Sequence, residues 1–319
     1  MITHPSVNIL EDVAQELGID DPSLVEKDFF TVKALSICAT IKSALFLLVF
    51  AGGTCLSKTY KAVERMSEDV DIKIIRTDAG NRLSRTALKK SLKSIRHEIL
   101  NALKSEGLLV PSENVKSRNE YHYTELKIPY PQQFVSSVAL RPEIKLDLTL
   151  STFLSPPITK PVSSFVADMF GKQPEVAGIH CVRIEDMAAE KLVSLTRRTA
   201  AVLCGRLGMD DETLVRHIFD LCAVEEVLKG NVRFPKMVQR VITIDVEQFG
   251  NQVPEYRENP RRETAKALRA LSDLPQYAQR YKNFLGPLVY AKNPPSWEDA
   301  LGSIYRIAKQ VWGDDILSQ

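Results

Sequence analysis

The sequence predicts an α+β protein, with strands and helices mixed in its first half and helices almost alone in its second. Three observations carry that reading. Residues 49–74, VFAGGTCLSKTYKAVERMSEDVDIKI, run as an apolar stretch, a glycine pair, a short helical stretch and then acids alternating with apolar residues. Residues 143–150 alternate more cleanly, with Ile144, Leu146, Leu148 and Leu150 on one side and Lys145, Asp147 and Thr149 on the other. From about Arg183 onward the pattern turns helical and stays so.

Taken in order, residues 20–22 make a turn, and Ser23 followed by Glu26 matches a capping box opening a helix to about Lys42. Its apolar face is Val25, Phe29, Val32, Leu35 and Ile41, and the triplet Glu26, Lys27, Asp28 reads from spacing as a solvated first turn. Residues 45–51 form a buried strand. In residues 69–74 the period of two sends Asp69, Asp71 and Lys73 to one face and Val70, Ile72 and Ile74 into a core. Ser84 caps a long helix to about Lys104, with Gly107 beyond its end. That helix carries Arg85, Lys89, Lys90, Lys93 and Arg96, ordinarily a solvated face, and an RNA-attracting one if it borders a site. Strands follow at 121–128 and 143–150, and the proline-rich residues 155–161 mark a break. Helices are expected at 185–198, 211–229, 236–249, 261–272, 276–289 and 297–312, the last opened by Ser296 and Asp299.

Bulk properties exclude several classes. With 319 residues the chain is long enough for two domains, and 44% hydrophobic with 26% charged residues is ordinary for a globular protein. A net charge of +2 neither favours nor disfavours a polyanionic partner, so any basic surface must be local. The five cysteines are widely spaced without a C-x-x-C pair, and read as buried thiols rather than as a disulfide framework or zinc site. The N-terminus lacks a signal-peptide pattern, and the most apolar run, residues 44–51, falls far short of the roughly 20 residues that span a bilayer. The expectation is a cytoplasmic protein without a membrane segment.

The chemistry centres on residues 49–74. Gly52 and Gly53 let backbone N–H groups approach an anion because neither carries a Cβ, and the following helix points its positive end the same way. Asp69 and Asp71 repel each other unless neutralised; with Mg²⁺ between them and a triphosphate at the glycine turn, they form a site for phosphoryl or nucleotidyl transfer. Asp147 is the natural third acid. From pattern alone, exposed acids beside an ordinary turn explain these residues equally well. The stretch GGTCLSK is not a P-loop, since it lacks the G-x-x-x-x-G-K-[ST] spacing.

The stretch GGTCLSKTY followed by ERMSEDVDI resembles the GGTxLSK and R-x-SEDhDh signature (h, apolar) of the AbiEii family of nucleotidyltransferase toxins, which are related to the mycobacterial MenT toxins and distantly to polymerase β. Weaker likenesses follow in the expected order: VEKDFF, IKLDLTL, AEKLVSLTRR, RHIFDL and YAKNPPSWEDAL. The resemblance implies a polymerase β-like nucleotidyltransferase lobe, a mixed sheet with flanking helices, over residues 1–180, and an all-helical lobe over 181–319. It implies transfer of a nucleoside monophosphate from an NTP to an RNA acceptor, particularly the tRNA 3′ end, which blocks translation, and a separately encoded antitoxin as partner. Gly52, Gly53 and Ser67 would contact the triphosphate, with Lys58 a secondary phosphate candidate. Asp69, Asp71 and Asp147 would hold Mg²⁺, or Asp147 would act as base. Lys191 and Asp220 read from pattern as an interhelix ion pair, whereas the resemblance makes both catalytic; Arg197, Arg198 and Arg216 would then bind phosphates. The alternatives are a metal-dependent nuclease using the same acids, which would shorten RNA without NTP, and a non-catalytic nucleotide-binding module.

Overall fold

A computed structural model of the chain describes residues 4–135 and 140–318. It divides into two compact units, Met1–Val182 and Arg183–Gln319.

The first unit opens with a helix that the polar N-terminal sequence does not advertise, α1 (Val7–Leu17), capped by Ser6 and closed by left-handed Gly18. Next comes α2 (Pro22–Thr40). Its N-cap is Asp21, which accepts from the Ser23 backbone N–H, so the expected Ser23/Glu26 capping box is not formed. Pro22 takes the first helical position, where a missing N–H costs nothing, and that moves the helix start one residue ahead of Ser23. The solvated first turn is also corrected: Glu26, Lys27 and Asp28 are at most 1% exposed.

Then follow β1 (Phe46–Ala51), α3 (Gly52–Lys58), β2 (Asp69–Arg76), the single turn α4 (Asp78–Asn81) and α5 (Arg85–Ser105). The unit continues with β3 (Val115–Arg118), β4 (Tyr123–Pro129), β5 (Glu143–Ser151), β6 (Ile158–Val162), α6 (Phe165–Met169) and β7 (Val176–Cys181). The proline-rich stretch does not end the unit. It leads into β6, and Pro161 is tolerated there because β6 is an edge strand.

The strands form one mixed seven-stranded sheet in the order β3-β4-β5-β2-β1-β7-β6. β2 runs antiparallel to β1 and parallel to β5, and β5 is antiparallel to β4. The period of two holds along the central strands: Val70, Ile72 and Ile74 of β2 and Ile144, Leu146 and Leu148 of β5 are at most 2% exposed. Helix α5 buries Leu88, Leu92, Ile95, Ile99 and Leu103 at helical spacing and leaves Arg85, Lys89, Lys90 and Lys93 exposed. Arg85 pairs with Glu120, and Arg96 stacks over the Tyr121 ring.

The second unit contains α7 (Ile184–Leu203), α8 (Arg216–Leu228), α9 (Phe234–Phe249), α10 (Pro254–Glu258), α11 (Pro260–Asp273), α12 (Pro275–Leu288) and α13 (Trp297–Trp312). The helix expected over 211–229 is a 3₁₀ turn, Glu212–Val215, that continues as α8. Proline near the first position starts α9, α10, α11 and α12, and Ser296 accepts from Asp299 N–H to open α13 as its capping pattern predicts. Ala200, Ala201, Val253, Tyr256 and Ala267 form a core cluster in which small side chains let helices approach closely around the tyrosine ring. Three of the five cysteines, Cys38, Cys55 and Cys181, are buried as expected, while Cys204 and Cys222 are only half-buried.

Charges buried at the start of α2 tie the first unit together. Asp28 pairs with Lys58 of α3 and accepts the Phe165 backbone N–H of α6 at 2.7 Å. Burial pushes the Asp28 carboxyl up and the Lys58 amine down, and their mutual contact opposes both shifts. Replacing Asp28 by Ala leaves Lys58 buried without its counter-ion, so Asp28→Ala should lose about 3–5 kcal/mol of stability, read as a lowered urea midpoint.

Candidate active site

The register of β2 against β5 places Asp71 directly opposite Asp147, with Asp69 opposite Lys145 and Lys73 opposite Thr149. In parallel strands, residues in register point to the same side, so the acids share one face of the sheet. On the far side of β5, Glu125 of β4 lies opposite Asp147 and Tyr123 opposite Thr149. Like charges directly opposed on a sheet destabilise it, and the neighbours temper the repulsion. Lys145 Nζ donates to Asp147 Oδ2 at 2.6 Å and the Tyr123 hydroxyl donates to Oδ1 at 3.0 Å. Burial pushes the Asp147 carboxyl up, while Lys145 and Tyr123 pull it down. The reading that gave Asp147 also put Lys145 on the acid face; Tyr123 follows the same alternation one strand away.

The glycine turn meets this row at the end of β1, where Ala51 pairs with Asp71. Gly52 has φ +79°, and a Cβ there would lie 1.9 Å from Asp71 Oδ2. Only glycine lets the Asp71 carboxylate sit against the backbone at this point. A Cβ on Gly53 would meet the Arg65 guanidinium at 2.5 Å and Ser67 Oγ at 3.0 Å. Thr54 fastens α3 to the start of β2 by donating to the backbone oxygen of Asp69.

Asp69 has a neighbour that no sequence pattern announces. Arg141 Nη2 lies 3.1 Å from Asp69 Oδ1 and 3.3 Å from Oδ2. Arg141 comes from the segment between β4 and β5, where residues 129–142 show no periodicity from which a position can be read. Glu68, one residue before Asp69, is buried and pairs with Lys27 of α2 at 2.6 Å, with Arg141 Nε 4.0 Å from the same carboxylate oxygen. Glu26 accepts the backbone N–H groups of Gln133 at 2.7 Å and Phe134 at 3.4 Å.

Not every nominated residue lies on the acid face. Lys58 is 4% exposed, paired with Asp28 and seated over the Phe165 ring. In the second unit, Lys191 of α7 and Asp220 of α8 form an ion pair at 2.8 Å, with Asp220 fully buried. Arg197 pairs with Asp245 at 2.7 Å and stacks over Phe249, and Arg198 pairs with Asp211 at 2.7 Å. A cavity of about 310 Å³ opens at the start of β1, lined by Cys38, Phe46, Leu48, Thr159 and His180; none of the nominated residues lines it.

Among the described residues, no group of three or more His, Cys, Asp or Glu is gathered to hold a metal ion. The donors on β2 nevertheless fit Mg²⁺ in kind. They are hard oxygens, and Mg²⁺ is ordinarily held by one or two carboxylates together with water and substrate phosphates rather than by an all-protein cage.

Residues 44–303 match the family of nucleotidyl transferase AbiEii toxins of type IV toxin–antitoxin systems. The chain belongs to the AbiEii toxin family. AbiEii membership makes this a nucleotidyltransferase toxin of a toxin–antitoxin system, with a nucleotide substrate and an antitoxin partner implied. Among solved structures, the chain is similar to MenT4, a nucleotidyltransferase toxin from Mycobacterium tuberculosis H37Rv, with a TM-score of 0.50 at 14% identity over 97% of this chain and 89% of that one. At that identity the likeness is one of fold, and it agrees with the expected α+β architecture. No curated protein matches the chain. Among the described residues, no helix is long and apolar enough to cross a membrane.

The Arg197–Asp245 pair yields a pH test. Burial raises the Asp245 carboxyl to about 6, against the pull of Arg197. An unfolded aspartate loses its proton near 3.9, so between about pH 4 and 6 the folded state binds more protons. The stability Asp245 contributes is therefore full below that window and falls as pH rises through it. Relative to wild type, Asp245→Asn should flatten this segment of the stability curve by on the order of 2 kcal/mol, measured by urea unfolding at pH 4.5 and 6.5.

Proposed function

We propose that this AbiEii protein transfers a nucleoside monophosphate from an NTP to an RNA acceptor, the 3′ end of tRNA, and so stops translation in the cytoplasm until its antitoxin restrains it. The observation that carries the reading is the apposition of Asp71 and Asp147 in register, beside a glycine whose missing Cβ makes room for the Asp71 carboxylate. A half-buried pair of like charges is a cost in a sheet by itself and an asset beside a cation and a triphosphate.

In the proposed reaction the acceptor 3′ oxygen attacks the α-phosphorus, the bond from that phosphorus to the bridging oxygen breaks, and pyrophosphate leaves with the bond electrons. Asp69 and Asp71 would hold Mg²⁺, with Asp147 completing the site or serving as base. When bound, the ion supplies positive charge against the developing charge on the phosphates. As base, Asp147 takes the proton of the attacking hydroxyl, and burial raises its proton affinity against the pull of Lys145 and Tyr123. Gly52, Gly53 and Ser67 bind the triphosphate through backbone N–H groups and a hydroxyl. Lys58 supports α3 from within through Asp28. Lys191 is assigned to the nucleotide phosphates, with Asp220 as its partner; the exposed lysines of α5 are assigned to the RNA backbone.

Incubating the protein with tRNA, Mg²⁺ and each labelled NTP should place label on the RNA, and Asp71→Ala should reduce labelling by about 10²–10³-fold or more, the scale on which losing one electrostatic group acts. Shortened RNA without NTP would favour a nuclease, and binding without turnover a non-catalytic module. Lys191 needs a separate test, because the ion pair explains its burial without chemistry. Replacing both partners of a buried pair with apolar residues is often neutral for stability, so a Lys191→Met, Asp220→Leu protein that unfolds at the wild-type urea midpoint but no longer labels RNA would establish a catalytic role. Retained labelling would reduce the pair to a strut.

A further inference from the structure

We propose that Arg141 is the resident counter-ion of Asp69, fixed there by the buried Lys27–Glu68 pair, that a divalent cation displaces it, and that the nucleotide phosphates receive the displaced guanidinium. The inference deepens the nucleotidyltransferase reading and rests on it for its final step.

The geometry joins the buried residue before β2 to the first acid of the strand. Glu68 immediately precedes β2 and is buried, whereas Asp69 opens the strand and is half-buried. Lys27 Nζ donates to Glu68 Oε2 at 2.6 Å and to the Arg141 backbone oxygen, while the Arg141 N–H donates to the same Glu68 oxygen at 2.8 Å. These hydrogen bonds close a ring among three residues, with Lys27 at 0% and Glu68 at 3% exposure. Arg141 thus has its backbone locked from within. Its side chain remains 38% exposed, with Nη2 against both oxygens of Asp69 and Nε 4.0 Å from Glu68 Oε2.

A buried Lys–Glu pair is a weak source of stability, because desolvating two charges offsets most of their attraction. What this pair does achieve is a fixed position for residue 141. Lys27 and Glu68 are therefore positioning residues, and Arg141 is the group they present. Arginine stays charged at all accessible pH values and matches carboxylate and phosphate geometry equally well. Here it pairs with Asp69, hydrogen-bonding Oδ2 and lying 3.1 Å from Oδ1. A dication approaching the same carboxylate meets this fixed positive charge and must compete for the same oxygens. A triphosphate alters the balance, since its oxygens accept the guanidinium that the cation releases. Cation and nucleotide then favour each other's binding through one side chain, and the coupling is reciprocal.

The test uses the full-length protein and Mn²⁺ as the probe, with free Mn²⁺ read by electron paramagnetic resonance, alone and with each of the four α,β-methylene NTP analogues. Arg141→Gln should bind Mn²⁺ alone about 5–10-fold more tightly than wild type and the Mn²⁺–analogue complex more weakly by a similar factor, a typical size for a coupling between sites. Lys27→Met, which lies too deep to touch either ligand, should shift both measurements in the same directions. Arg141→Lys keeps the charge without the fork and should stay near wild type for Mn²⁺ alone. General damage to the site would weaken both complexes together. Weakening of both, or no change in either, with Arg141→Gln would overturn the proposal. If Mn²⁺ alone binds more tightly to Arg141→Gln while wild type binds no analogue, the counter-ion role stands, and the transfer to phosphate falls together with the nucleotide reading.

Discussion

Three consecutive charges buried at the start of α2 set the terms for the first unit. A buried charge is tolerated only with a partner, and Glu26, Lys27 and Asp28 each find theirs in a different segment. Glu26 holds the backbone at residues 133–134, Lys27 holds Glu68 and the backbone of Arg141, and Asp28 holds Lys58 and the start of α6. Those segments precede β5, precede β2 and follow the glycine turn. One helical turn thus fixes the three stretches of chain from which the acid face is assembled. The arrangement is costly in solvation, yet it specifies position in a way that apolar packing, which has no direction, does not.

The sheet and the acids were legible because a period of two survives in any half-buried strand. Asp69, Asp71 and Asp147 stand out against apolar neighbours, and the structure puts them on one face in register. The glycine pair was legible as a turn that lets backbone approach an anion, and the structure adds a neighbour the pattern did not name: a Cβ on Gly52 would fall 1.9 Å from Asp71 Oδ2. The buried triplet was not legible, because a helix start rich in charge looks the same whether it faces water or three distant partners. Arg141 carried even less signal, since its position depends on tertiary hydrogen bonds to its backbone. The missed α1 and the shifted start of α2 are local matters of capping, in which Ser6 and Asp21 outdid the longer patterns around them.

The second unit poses the opposite difficulty. Its helices followed their apolar periodicity closely, but its charged residues are absorbed in pairs: Lys191 with Asp220, Arg197 with Asp245, Arg198 with Asp211 and Arg280 with Asp210. Such pairs look alike on paper whether they brace helices or await a substrate. Burial separates them by degree only, with Asp220 at 0% and Asp210 at 31% side-chain exposure. An apolar replacement that preserves packing can tell these roles apart, because it removes charge while leaving the helices joined.

The parallel pairing of β2 with β5 has a consequence for how such a chain can vary in length. Everything between the two strands, from α4 through β4, is a crossover whose ends are pinned by the β2–β5 ladder. Residues gained or lost in its surface turns leave Asp71 facing Asp147, because loop closure grows only slowly more costly with length. One residue gained or lost inside β5 would instead turn Asp147 to the apolar side and bring Leu146 or Leu148 to the acid face. The protein is therefore elastic over the span that separates its acids and inelastic by a single residue at the acids themselves.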